Sequence, residues 1–159
     1  MGWYPQTGDW DETGAGEGLG YTINVPLPRD IQDDDFLTLY SGMLTPVMRS
    51  YKPELILVAA GFDAHYMDPI GRTRLTEKAY LGLTELLVNI WGDLGRPPLL
   101  LALEGGYDVT ALVSCVKEVF NVLSGKDGRQ KAIFRMSDMG MKLLAKVRAI
   151  HRQYGLWTK

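Results

Sequence analysis

Two stretches decide the fold: Glu54-Leu-Ile-Leu-Val-Ala-Ala60 running into Gly61-Phe-Asp-Ala-His-Tyr-Met-Asp-Pro69, and Pro98-Leu-Leu-Leu-Ala-Leu103 running into Glu104-Gly-Gly-Tyr-Asp108. In each, a short and almost wholly apolar run meets a polar, glycine-containing loop, and a helical pattern follows. Apolar runs of this length alternating with helices read as buried parallel strands. In such sheets the chemistry sits in loops at the carboxyl ends of the strands. Both loops are therefore expected on one rim, bringing the carboxylate of Asp68 and the phenol of Tyr107 toward one crevice.

Outward from these loops, the chain organises as follows. Residues 1–20 carry six glycines and no periodicity, and read as loop. Tyr21–Leu27 reads as a third strand, closed by Pro26 and Pro28. Asp33, Asp34 and Asp35 sit where negative charge favours a helix start, and Phe36 to Tyr51 reads as helix, weakened or bent at Gly42 and Pro46. After the long 61–75 loop, Thr76 is an N-cap candidate with Glu77 in the first turn. Tyr80, Leu83, Leu87, Ile90 and Trp91 form the expected buried stripe of the next helix, which Gly92 and Gly95 end. A further helix spans about Asp108 to Leu123 and stops at Gly125. A polar linker over about 125–136 leads to a last helix. The expected fold is α/β: a partial three-layer α/β/α sandwich with a mainly parallel sheet. Three strands make a narrow sheet with an open edge, so the organisation itself hints at an incomplete fold.

Composition bounds the function. The 159 residues are 46% hydrophobic, enough for one sizeable core. No run of 18 apolar residues is present, so no membrane span is expected. The first residues, Met1-Gly-Trp-Tyr-Pro-Gln6, hold no basic stretch and no apolar core, so no signal peptide is expected. The single cysteine, Cys115, reads as a small buried apolar residue and fits a reducing cytoplasm. Residues 1–124 hold 8 Lys and Arg against 17 Asp and Glu, a balance of −9, whereas residues 125–159 hold 9 against 2, a balance of +7. A basic tail can bind nucleic acid. Here Met139, Leu143, Leu144, Val147, Ile150 and Tyr154 recur at helical spacing, and no aromatic ladder or groove-reading motif accompanies the charge. The favoured reading is a basic helical tail, residues 126–159, docked on the acidic body.

Taken from the residues alone, Asp68 before a proline is a metal ligand, a helix cap or a turn former. Tyr107 is a helix-edge tyrosine or an oxyanion donor. His65 with Asp63 and Asp68 imitates a metal cluster, but a structural role is the stronger reading. Gly14, Gly16, Gly18 and Gly20 do not make a dinucleotide loop, because residue 19 is leucine and the run precedes its strand. No serine lies in a nucleophile elbow.

The two loops resemble signature segments of the zinc-dependent histone deacetylase family, which includes acetylpolyamine amidohydrolases. A third segment agrees: Trp3-Tyr-Pro-Gln-Thr-Gly8, then Glu17-Gly18 and Gly20-Tyr-Thr-Ile-Asn-Val-Pro-Leu-Pro28. The resemblance runs from the first residues to about Gly125 and covers only the carboxyl-terminal half of such a domain, with the amino-terminal half absent. It implies that residues 1–125 are the carboxyl-terminal part of a catalytic domain. It further implies that Asp68 is one of three zinc ligands and that Tyr107 is the catalytic tyrosine that donates to the oxyanion. Gly105 and Gly106 let the backbone bring the phenol over the metal. Trp3, Tyr4 and Leu75 match walls of the tube that holds the substrate stem. The implied substrate is an acetylated amine, acetyl-lysine or an acetylated polyamine. The other two ligands and an adjacent histidine pair belong, in the family, to a segment with no match here; the only histidines are His65 and His151. Zinc is thus expected only if another segment or chain completes the ligand set, and the isolated chain is expected to be inactive. The rival expectations are a non-catalytic module that self-associates, as a homodimer, or binds a partner, and one half of a split deacetylase whose other half is a separate chain.

Overall fold

The computed structural model describes residues 6–125 and 132–155. Residues 6–32 form a loop broken by one short 3-10 turn at Gly16–Gly18. Helix α1 spans Asp33–Tyr51, strand β1 Ile56–Ala60, helix α2 Glu77–Asp93, strand β2 Leu99–Leu103, helix α3 Val109–Leu123 and helix α4 Asp138–His151, ending in a 3-10 turn at Arg152–Tyr154. The strands pair in parallel, from Ile56 opposite Leu99 to Ala60 opposite Leu103. Helix α2 makes the crossover between them, as the alternation of apolar runs and helices requires.

The helix starts are chemically explicit. At α1, Gln32 and Asp35 form a reciprocal capping box, and three acids occupy the first turn. At α2, the Thr76 hydroxyl accepts from the Lys78 N–H, and at α3 the Asp108 carboxylate accepts from the Ala111 N–H. Helix α1 continues through Pro46. Proline has no N–H, so the carbonyl of Gly42, four residues earlier, loses its helical donor. The Arg148 guanidinium of α4 donates to that carbonyl at 3.3 Å. Gly42 also leaves the space that the Leu144 side chain fills; a Cβ there would collide with it. Helix α4 thus seats on α1, burying Leu144 and Val147 against Leu39 and Met43. The Ser137 hydroxyl at its start donates to Asp35 at 2.6 Å. Met139, by contrast, is 38% exposed and lies outside this seam. The expected stripe of α2 is shared differently: Tyr80 and Ile90 are buried, Leu83, Leu87 and Trp91 are half-buried, and Ala79, Leu81, Gly82 and Thr84 complete the packed face.

Two strand expectations are corrected. Tyr21–Leu27 forms no strand. Pro26 and Pro28 offer no N–H to a ladder, the Gly20 and Thr22 N–H groups both donate to the Thr13 carbonyl, and Ile23, Val25 and Leu27 pack by their side chains on the α1–α4 seam. The two strands that do form are not buried on both faces. Ile56 and Ala60 face the helices, and Ala60 packs near Phe62, Tyr80 and Cys115. The alternate residues Leu57 and Leu100, paired in register, are 66% and 60% exposed. Among the described residues, helices cover one face of the sheet and neither edge is paired. What stands is a two-strand, one-sided piece of an α/β architecture, one strand narrower than the sequence suggests.

Candidate active site

The 61–75 loop and the 104–108 loop leave the same end of the two parallel strands, so they must share a rim. Backbone bonds draw them together: Phe62 N–H donates to the Gly105 carbonyl at 2.8 Å, and Glu104 N–H to the Ala60 carbonyl at 3.0 Å. Asp68 locks the arrangement. Its Oδ1 accepts from the Ile70 and Gly71 N–H groups at 2.8 and 3.3 Å, a local turn built on the Asp-Pro pair. Its Oδ2 crosses to the other loop and accepts from the Tyr107 and Asp108 N–H groups at 2.6 and 3.3 Å. The residue is 5% exposed. Burial pushes its pKa up, but the four backbone donors outweigh burial and hold the carboxyl below its usual value.

The glycines of the second loop have separate reasons. Gly105 lies against the Asp63 carboxylate, which would stand 2.8–3.0 Å from a Cβ at that position. Gly106 has φ +131°, open to glycine and strained for other residues. Together they let the chain turn sharply and present Tyr107, whose side chain is 60% exposed at the rim. Its backbone is fixed by Asp68 while its phenol remains accessible.

His65 is 2% exposed and sits beneath the loop. Its Nδ1 accepts from the Met67 N–H at 3.2 Å, which places the ring proton on Nε2, 3.7 Å from Glu77 Oε2. Its own carbonyl accepts from the Asp68 N–H. This is the loop support the sequence favours over a metal role. Leu75 is fully buried with Ile31, Phe36, Leu37 and Ala79, so its side chain anchors the end of the loop. Trp3 and Tyr4 lie outside the described residues. His151 is buried on α4, remote in the fold from both loops.

One part of the frame was not apparent from the sequence. Asp33, expected only as a helix-start charge, accepts from the Thr76 N–H and hydroxyl at 2.8 and 2.6 Å and ties the start of α1 to that of α2. The only sequence signal was its place in the Asp33–Asp35 triplet.

A hydrolytic zinc ion takes three protein ligands and an open position. Among the described residues, no group of three His, Cys, Asp or Glu side chains could hold a metal. Asp68 stands as one carboxylate, and its two short backbone bonds, at 2.8 and 2.6 Å, engage one lone-pair direction on each oxygen. These residues alone do not fit a complete zinc site.

Comparison with known proteins supplies the context. The family model described as "Histone deacetylase domain" matches residues 1–123. Histone deacetylase 14, chloroplastic, of Arabidopsis thaliana is 35% identical over 126 residues, 79% of this chain and 30% of the relative. A probable deacetylase of Archaeoglobus fulgidus is 37% identical over 106 residues, 67% of this chain and 30% of that protein. Among solved structures, the HDA15 HD domain superposes with a TM-score of 0.81 at 29% identity, covering 96% of this chain and 40% of its own. The histone deacetylase Clr3 gives 0.83 at 28% identity, covering 98% of this chain and 26% of its own. The chain therefore spans under a third of these curated relatives, and well under half of the matched structures.

Proposed function

The chain belongs to the histone deacetylase family, and from that premise we propose that it is the tyrosine-bearing segment of a zinc-dependent amidohydrolase site acting on acetyl-lysine or acetylated polyamines. The observation that carries this reading is the Asp68 carboxylate bonded to the Tyr107 backbone N–H at 2.6 Å. The two residues that the family resemblance picks out are, in this chain, one hydrogen-bonded unit on one rim. In the proposed role Asp68 contributes one metal ligand. Tyr107 donates its hydroxyl to the oxygen that gains charge as an amide carbonyl is attacked, an interaction worth most where donors are held in place beforehand. Gly105 and Gly106 set the approach of the phenol. Trp3, Tyr4 and Leu75 are assigned to the substrate wall, Leu75 through the loop it anchors.

The remaining ligands and the proton-transferring group come, in this proposal, from residues outside this chain, on the same polypeptide or on a separate one, in a reducing cytoplasm. No helix among the described residues is long and apolar enough to cross a membrane. The 159-residue polypeptide by itself turns over no substrate. A fluorogenic acetyl-lysine assay on the purified chain, with and without added zinc, checks this. Chelator-sensitive turnover would overturn it. A second reading, a module that associates with itself or a partner, is favoured by the exposed Leu57–Leu100 face. A concentration-dependent dimer in sedimentation would support it. Nucleic-acid binding by the basic helix has only its charge behind it, since no aromatic ladder or groove-reading motif accompanies that charge.

A further inference from the structure

Three arginines line one open cavity on an otherwise acidic body. The segment around Arg29 and the end of the 61–75 loop are stapled side by side: Arg74 N–H donates to the Ile31 carbonyl at 3.1 Å, and Thr76 is held by Asp33 through two bonds. This brings Arg29 beside Arg72 and Arg74, around an open cavity of about 690 Å³ whose lining also includes Tyr66, Gln32 and a single carboxylate, Asp30. Thr73 turns inward and its hydroxyl bonds the Ala64 carbonyl, while Arg72 and Arg74 on either side are exposed. Neither of those two guanidinium groups makes a hydrogen bond or an ion pair among the described residues. Arg74 also borders a more acidic cavity containing Asp33, Asp34 and Glu77. There Asp33 accepts from Thr76 and Glu77 lies 3.7 Å from His65 Nε2, and neither carboxylate bonds Arg74. Arg72 adopts φ 51°, a left-handed conformation that non-glycine residues seldom take. With one carboxylate, Asp30, against three guanidinium groups, the lining of this cavity carries a surplus of positive charge. Guanidinium groups with a neighbouring phenol are the donor set that grips a carboxylate or a phosphate.

We propose that Arg29, Arg72 and Arg74, with the exposed Tyr66 phenol, form a binding site for an oxyanion, the phosphate or carboxylate group of a ligand. The site uses neither Asp68 nor Tyr107, so it stands or falls apart from the deacetylase reading. Because Tyr66 and Arg72 flank Asp68 on one loop, an anion held here would steady the loop that carries it.

The test is an NMR titration of the arginine Nε–H signals of the 159-residue chain. One arm uses inorganic phosphate and another a short glutamate-rich peptide, each against sodium chloride at equal ionic strength. Saturable shifts are expected with at least one probe. Affinity should fall about tenfold in Arg72→Gln or Arg74→Gln, the share of one charge-assisted hydrogen bond. Saturation by phosphate alone identifies a phosphate ligand, and by the peptide alone a carboxylate ligand. Arg72→Gly removes the side chain while suiting the left-handed backbone, so it should lose affinity without lowering the melting temperature. Shifts no larger than those with sodium chloride, or unchanged affinity in the folded variants, would overturn the proposal.

Discussion

Replacing Asp68 tests the frame of the site without any metal. In Asp68→Ala, two short bonds to a charged acceptor are lost, at 2.8 Å to Ile70 and 2.6 Å to Tyr107. Hydrogen bonds to charged groups contribute about 1.5–3 kcal/mol each. The two 3.3 Å contacts to Gly71 and Asp108 are too long to add much. The freed N–H groups lie on a rim that water reaches, which lowers the penalty toward about 3 kcal/mol, still a large share of the roughly 5–15 kcal/mol that holds a domain folded. Asp68→Asn keeps the shape, but its NH₂ must face one of the two N–H pairs, so it should cost about 2 kcal/mol. Urea unfolding followed by circular dichroism measures both. The pH dependence gives a sharper check. The folded carboxyl is held below its ordinary value of 3.8. Its stabilisation is therefore complete above that value and disappears as pH falls through the depressed one. The gap between wild type and Asp68→Asn should be constant from about pH 5 to 7 and close below about pH 4. A gap under about 0.5 kcal/mol at pH 7, or one that persists unchanged at pH 3, would refute the clamp.

Other expectations follow from the packing. Gly42→Ala forces Leu144 out of the α1–α4 seam and should destabilise by about 1–3 kcal/mol, read as a lower urea midpoint. Arg148→Ala should cost less, about 1 kcal/mol, through loss of its bond to the Gly42 carbonyl. Burial, with lesser contributions from Glu77, Asp33 and Glu118, pushes the Cys115 thiol up to about 12. Native protein at pH 7–8 should therefore resist iodoacetamide and react only in denaturant, as seen by mass spectrometry. Leu57→Lys with Leu100→Lys, on residues 66% and 60% exposed, should leave the melting temperature within a few degrees but reduce light scattering at high concentration.

Much of this was legible from residue order alone. The apolar runs before the Asp68 and Tyr107 loops encode two parallel strands because a crossover helix of the right length lies between them, and their common direction puts both loops on one rim. The helix starts at Asp33 and Thr76 were legible because capping is local chemistry. The failure at Tyr21–Leu27 has a different origin. Its alternation of apolar residues is real, but Ile23, Val25 and Leu27 spend it on the α1–α4 seam, and strand formation needs a partner that propensity cannot supply. Burial of β1 and β2 was over-read for the same reason: apolar runs report what a strand can bury, and among the described residues helices cover only one face. The reach of Asp68 Oδ2 across 39 residues to the Tyr107 N–H was beyond any local pattern. So was the gathering of Arg29 with Arg72 and Arg74, which depends on the bond from Arg74 to Ile31.

On the proposed reading, this chain carries one ligand and the tyrosine of a deacetylase site and does not hold the metal by itself. Zinc content per chain, measured by elemental analysis on protein purified without added metal, tests it most directly. Far less than one zinc per chain is expected, since among the described residues no three side chains could hold the ion. Close to one zinc per chain, lost to a chelator together with a fall in melting temperature, would contradict it.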